Sequence, residues 1–138
     1  MSEPVYAISV KQPWATLLAC GVKTVEVRTW STRRQGRVFI HAGKVPDPRP
    51  DGWAWLTTPR LRAMAERVGG IVGVGELTGC VRYDTPERFA ADRGRHLNPP
   101  DWFREAGLCG LAFRHLEAVD FWPCPGNLYF FPVEGYPP

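Results

Sequence analysis

The run GIVGVGELTGCVRY, residues 70–83, decides the fold. It reads as one long β-strand, with glycines at 73, 75 and 79. In a regular strand those three positions share a face, because side chains alternate with a period of two. Bare positions repeated on one face point to strong curvature, or to another backbone or ligand lying close. Barrels need such places. No G-K-S/T follows G-V-G-E, so the run is not a phosphate loop.

Towards the C-terminus, Thr85 and Pro86 start a short helix, and HLNPPDWF (96–103) reads as loop. Leu111 to Phe121 and Leu128 to Val133 read as strands, and Pro132, Pro137 and Pro138 confine the end of the chain to an edge or a tail. Towards the N-terminus, Tyr6 to Val10 is a short strand. Residues 13–20 form a two-turn helix with Pro13 at its first position, a Trp14–Leu17–Leu18 stripe and Gly21 as its left-handed cap. Thr24 to Trp30 is a strand with Val25 and Val27 on one face and Glu26, Arg28 and Trp30 on the other. STRRQG (31–36) is a basic loop, Val38 to Ala42 a strand, and 45–59 a Pro- and Asp-rich loop whose two tryptophans pack on something. Thr58 caps a helix with Pro59 at its first position and a stripe of Leu61, Met64 and Val68. Five or six strands and three short helices make a single α+β domain, 1–138, built around a small, mostly antiparallel β-barrel.

The composition, 44% hydrophobic and 22% charged, is that of a globular domain. No apolar run is long enough to span a membrane as a helix. MSEPVYAISV lacks the basic and apolar regions of a secretory signal. Cys20, Cys80, Cys109 and Cys124 form no C-x-x-C pair and read as free, mostly buried thiols, which with the missing signal suggests a cytoplasmic protein. Cys and His never occur at ligand spacing, so no metal and no cofactor is expected. The net charge of +3 is uneven: residues 1–44 carry +5 and the remainder −2. A basic third favours an anionic partner, nucleic acid first, although a solvated basic face without a partner has the same charge.

The strings Q-P-W-A (12–15), G-x-K-x-x-E-x-R (21–28), T-W-x-T (29–32), Gly36 and H-A-x-K (41–44) resemble the ASCH family, the activating-signal-cointegrator homology domains related to the PUA fold. G-E-L-T-G-C (75–80) and G-N-L-Y-F-F-P (126–132) fit as well. The resemblance covers nearly the whole chain. It implies a PUA-like barrel with a cleft between its sheet and the first helix, lined by the G-x-K-x-x-E-x-R motif. It also implies RNA or DNA binding, or in some members hydrolysis of N(4)-acetylcytidine or of RNA. In the amidohydrolase branch a lysine base is followed three residues later by a threonine nucleophile. Lys23 matches that lysine, but Glu26 stands at the nucleophile position. The chain is therefore closer to the cointegrator-like branch.

Lys23, Glu26 and Arg28 form the central set. Lysine and arginine suit an anion or a base edge, and the glutamate orients them; the competing reading is an exposed Glu26–Arg28 ion pair. Lys23 and Glu26 share one cleft only if Lys23 lies in the turn before the strand. Lys11 and Gln12 begin the first helix, where backbone N–H groups favour an anion; the other reading of Gln12 is a helix cap. Trp14 stacks a base or belongs to the core; Trp30 stacks beside the cleft or covers a barrel end. Thr32, Arg33 and Arg34 suit phosphate, as does Lys44. His41 is a general base or a hydrogen-bond donor, or else a structural histidine. Glu76 shares a strand face with Val72, Val74 and Thr78; partly buried there and paired with Lys23 or Arg28, it would be a second carboxylate. These residues describe a monomeric module holding RNA, single-stranded DNA or a nucleoside-like molecule. The alternatives are a hydrolase using Lys23 with Glu26 or Glu76, and a protein-binding domain using the Trp53–Trp55 loop.

Overall fold

A computed structural model describes residues 4–135. The strands are β1 (Val5–Val10), β2 (Val25–Arg28), β3 (Gly36–Ala42), β4 (Gly70–Tyr83), β5 (Leu108–Pro123) and β6 (Phe130–Val133). The helices are α1 (Trp14–Ala19), α2 (Pro50–Trp53), α3 (Pro59–Met64), α4 (Pro86–Ala91) and α5 (Arg93–His96), and Pro100–Trp102 makes a 3-10 turn. The strands form one sheet in the order β2-β5-β4-β3-β1-β6. Among the described residues only the β1–β3 pairing is parallel; the other ladders are antiparallel.

The sheet curls into a half-barrel around α1. Its concave face packs Ile8, Val10, Val38, Ile40, Val72 and Leu111 against Trp14, Leu17, Leu18 and Ala19. A second cluster, Ala7, Phe39, Ile71, Val74 and Phe131, covers the other face. A third, Val25, Tyr83, Phe89 and Leu108, seats α4. Curvature is set where the sequence places glycine. A Cβ added to Gly73 would stand 2.4 Å from the Cβ of Ala19, so α1 rests directly on β4 at that point. Register shifts lie between Ile71 and Gly73, Val74 and Glu76, and Leu77 and Gly79. Such bulges bend a strand and increase its twist.

The two edge strands, β2 and β6, do not pair with each other. Arg28 Nη2 at the end of β2 instead donates to Ser9 O on β1 (2.8 Å). Trp30 packs edge-to-face against Phe130, with ring centroids 5.7 Å apart. Side chains close the barrel where the ladder stops, and the gap between the edges becomes a cleft.

Several expectations need correction. The first helix buries more than its Trp14–Leu17–Leu18 stripe: Trp14 to Ala19 are all buried, because α3 and the 45–56 segment cover the face away from the sheet. Val68 lies beyond α3 and is 37% exposed, so it extends no stripe. The 45–59 and 96–103 segments contain the short turns α2 and Pro100–Trp102. The cysteines are free, but Cys80 is exposed and Cys109 alone among the four is buried. Thr58 and Thr85 do cap their helices, accepting from Leu61 N and Arg88 N. No described helix is long and apolar enough to cross a membrane.

Candidate nucleic-acid interface

The cleft encloses about 930 Å³ between α1, the ends of β1 and β2, and the segments 43–49, 98–104 and 127–129. At its floor lies Lys23, 1% exposed, on the turn that Gly21 makes possible at φ +73°. Lys23 Nζ donates to His96 O (2.6 Å) and Asn98 Oδ1 (3.1 Å) and stands 3.5 Å from Glu26 Oε1. It also sits 4.7 Å from the Trp14 ring centroid. Leu97, between the two acceptors, takes φ +65°. That left-handed residue turns the His96 carbonyl and the Asn98 side chain onto one ammonium.

Glu26 lies between two cations. Its Oε2 is 3.0 Å from Arg28 Nη2, and its side chain is 10% exposed. Burial pushes the Lys23 ammonium below its ordinary value, and the nearby Glu26 carboxylate opposes that shift. His96 is likewise pushed down, first by burial. Its Nε2–H donates to Phe89 O and its Nδ1 accepts from Asn98 N–H, the tautomer that these partners require.

The opposite wall is a second network. Asp47, 2% exposed, accepts from Trp14 Nε1 (2.9 Å) and from Arg49 Nε (3.0 Å) and Nη2 (2.9 Å). The Arg49 guanidinium lies 3.7 Å over the Trp102 ring, which meets Trp14 edge-on at 5.6 Å. Burial favours the protonated Asp47 carboxyl, but the Arg49 and Trp14 hydrogen bonds outweigh it and hold the pKa at about 2. A carboxyl depressed on folding contributes stability that is full above its unfolded value and lost as pH falls through the folded one. Asp47→Asn should therefore cost about 2 kcal/mol more at pH 6 than at pH 2. Urea unfolding of both proteins at the two pH values checks this, and an equal difference at both contradicts it.

Lys11, Trp14, Lys23, Glu26, Arg28, Trp30 and Lys44 thus come together in one cleft. Lys23 lies in the turn before β2, the one arrangement that lets it face Glu26. The other expected residues lie elsewhere. Gln12 is fully buried as a brace: its Oε1 accepts from Thr16 N and its Nε2 donates to Arg67 O. His41 is 1% exposed, donates Nε2–H to Cys124 O and accepts from Ser9 Oγ at Nδ1. Thr32, Arg33 and Arg34 do not line the cleft; the Arg34 guanidinium stacks 3.9 Å over Tyr6. Glu76 is on the convex side, half-exposed, in a two-pronged pair with Arg114 (3.1 and 2.9 Å), so no Glu76–Lys23 pair forms.

The family profile of the ASCH domain matches residues 8–108. The chain belongs to the ASCH domain family. Activating signal cointegrator 1 from Mus musculus and from Homo sapiens each share 39% identity with this ASCH chain over 77 residues. The match takes in 55% of this chain and 13% of either cointegrator. Crystal structures of ASCH from Zymomonas mobilis and of a serine-to-alanine mutant of that protein match with TM-scores of 0.65 and 0.67, at 15% and 14% identity. The alignments cover 96% of this chain and 89% and 92% of those chains. At such identities the likeness is one of fold, and the fold is PUA-like.

Proposed function

We propose that the cleft of this ASCH domain holds a nucleotide of a single-stranded nucleic acid. The observation that carries the reading is the set of buried Lys23 and Glu26 with half-buried Arg28 beneath a mouth whose charge is positive. Six cations line the cleft (Lys11, Lys23, Arg28, Lys44, Arg49, Arg104) against three carboxylates (Glu26, Asp47, Asp101). Lys11, Lys44, Arg49 and Arg104 are exposed at the rim, where phosphates would lie. Glu26 and Arg28 offer an acceptor and a planar donor to a base edge. A cleft has room for an unstacked base and little for a duplex.

Lys23 has a different part from the one its sequence position suggests. At 1% exposure, with its donors directed at His96 O, Asn98 Oδ1 and Glu26, it holds Glu26 in place and does not reach phosphate. The same engagement weighs against Lys23 as the base of a hydrolase, because a proton acceptor needs a free lone pair. Turnover of acetylated cytidine or of RNA above a Lys23→Ala control would reinstate that reading.

Fluorescence anisotropy with eight-nucleotide RNA and DNA single strands, and with duplexes of both, tests binding and strand preference. Lys44→Ala and Lys11→Ala should each lower the salt slope of log K by about 0.7, if each meets one phosphate. Slopes equal to that of the unchanged protein would remove both lysines from the interface.

A further inference from the structure

The mouth of the cleft carries an apolar shelf. Among the described residues, Leu128 (77% exposed), Val45 (65%) and Tyr129 (59%) are the most exposed large hydrophobic side chains, and all three line this cleft. Large apolar groups gathered at one mouth mark a contact surface, whereas the same groups scattered would not. The shelf is also built, not frayed. Tyr129 takes φ +56°, a conformation rare for an aromatic residue. Leu128 N–H is tied to Asn127 Oδ1 (2.8 Å), and the next residue after Tyr129, Phe130, begins β6 with its ring against the concave core. Tyr129 meets Trp30 edge-to-face, with centroids 5.0 Å apart and planes at 73°. Trp30 in turn lies beside the Arg28 guanidinium, 5.9 Å from its ring centroid.

We propose that Tyr129, backed by Trp30, is a second stacking subsite. It takes the base next to the one seated over Glu26 and Arg28, so the ligand is a strand of at least two nucleotides and not a free nucleoside. This rests on the reading of the cleft as a nucleotide site. Charge selects a nucleic acid over an apolar peptide as the occupant, because Lys11 and Lys44 line the same mouth as the shelf. An exposed aromatic beside cations is how single strands are held without sequence reading. The contact between Trp30 and Tyr129 places the shelf directly beyond the arginine, where a neighbouring base would emerge.

The test measures affinities for a mononucleotide with a 5′-phosphate, the matching dinucleotide, and a dinucleotide whose second sugar lacks its base. Expected is a dinucleotide-to-mononucleotide affinity ratio of roughly ten or more, since stacking on an aromatic ring contributes on that scale. The abasic dinucleotide should lose most of that gain. Tyr129→Ala should collapse the ratio and Tyr129→Phe should keep it, with thermal unfolding confirming that both variants fold. Mononucleotide binding that depends on Arg28, with a ratio that the abasic unit or Tyr129→Ala leaves unchanged, overturns the second subsite and spares the first. A protein that binds none of the three, and no longer strand at low salt, overturns both.

Discussion

Lys23→Ala is expected to destabilise the domain by about 3–5 kcal/mol, the scale for breaking a buried charge pair by removing one partner. The substitution strips the His96 carbonyl and Asn98 Oδ1 of their shared donor. It leaves Glu26, 10% exposed, with Arg28 as its remaining cation. It also empties the volume of one of the largest fully buried side chains in the described chain. Urea unfolding near neutral pH measures the loss, and a cost under about 1 kcal/mol would show that the lysine is not the keystone of the cleft floor. Adding Glu26→Gln to Lys23→Ala should cost less than the sum of the two single substitutions, because both remove the same Lys23–Glu26 pair. Loss of binding in Lys23→Ala would therefore not by itself place Lys23 against a ligand.

Arg28→Ala is expected to have the largest effect on binding, a roughly 10- to 100-fold loss of affinity for a single strand, the range for one good two-pronged contact to a base. Arg28 joins the two halves of the site: one nitrogen bonds Ser9 O on β1 and stands against Glu26. Arg28→Lys should recover little, because an ammonium cannot reproduce the planar fork. Anisotropy at fixed low salt reads the change. Thermal unfolding of the same samples separates it from the loss of the Arg28–Ser9 closure. Unchanged affinity in a folded Arg28→Ala protein would move the ligand out of this cleft.

What the sequence disclosed follows the range of each physical signal. Strand periodicity is local, so Glu26 and Arg28 were legible as one face of β2, and Gly21 explained how Lys23 could join them. Glycine spacing at 73, 75 and 79 correctly announced a curved strand with a close neighbour, which is α1 at Gly73. The same curvature defeated the parity argument for Glu76. The bulges of β4 shift its register, so Val72 belongs to the concave cluster and Val74 to the convex one, and Glu76 meets Arg114 outside. Asp47, Arg49, Asn98 and Trp102 stood in segments read as loops. Asn98 reaches Lys23 across 75 positions, a contact that no local pattern encodes. Gln12 and His41 each carried two readings, and the structural one fits the contacts: Gln12 Oε1 accepts from Thr16 N–H in the first turn of α1 and its Nε2 donates to Arg67 O, and His41 Nε2–H donates to Cys124 O. That is the commoner fate of a buried polar residue.

The indole N–H resonances of the protein's six tryptophans offer the most direct test of the cleft as a single-strand site. Trp14, Trp30 and Trp102 line it, whereas Trp122 packs with the cluster on the other face of the sheet. Proton–nitrogen spectra recorded during titration with an eight-nucleotide single strand at low salt should show the Trp14, Trp30 and Trp102 signals moving while that of Trp122 stays. Saturating oligonucleotide that leaves the three cleft indoles in place, or moves Trp122 instead, would contradict the account.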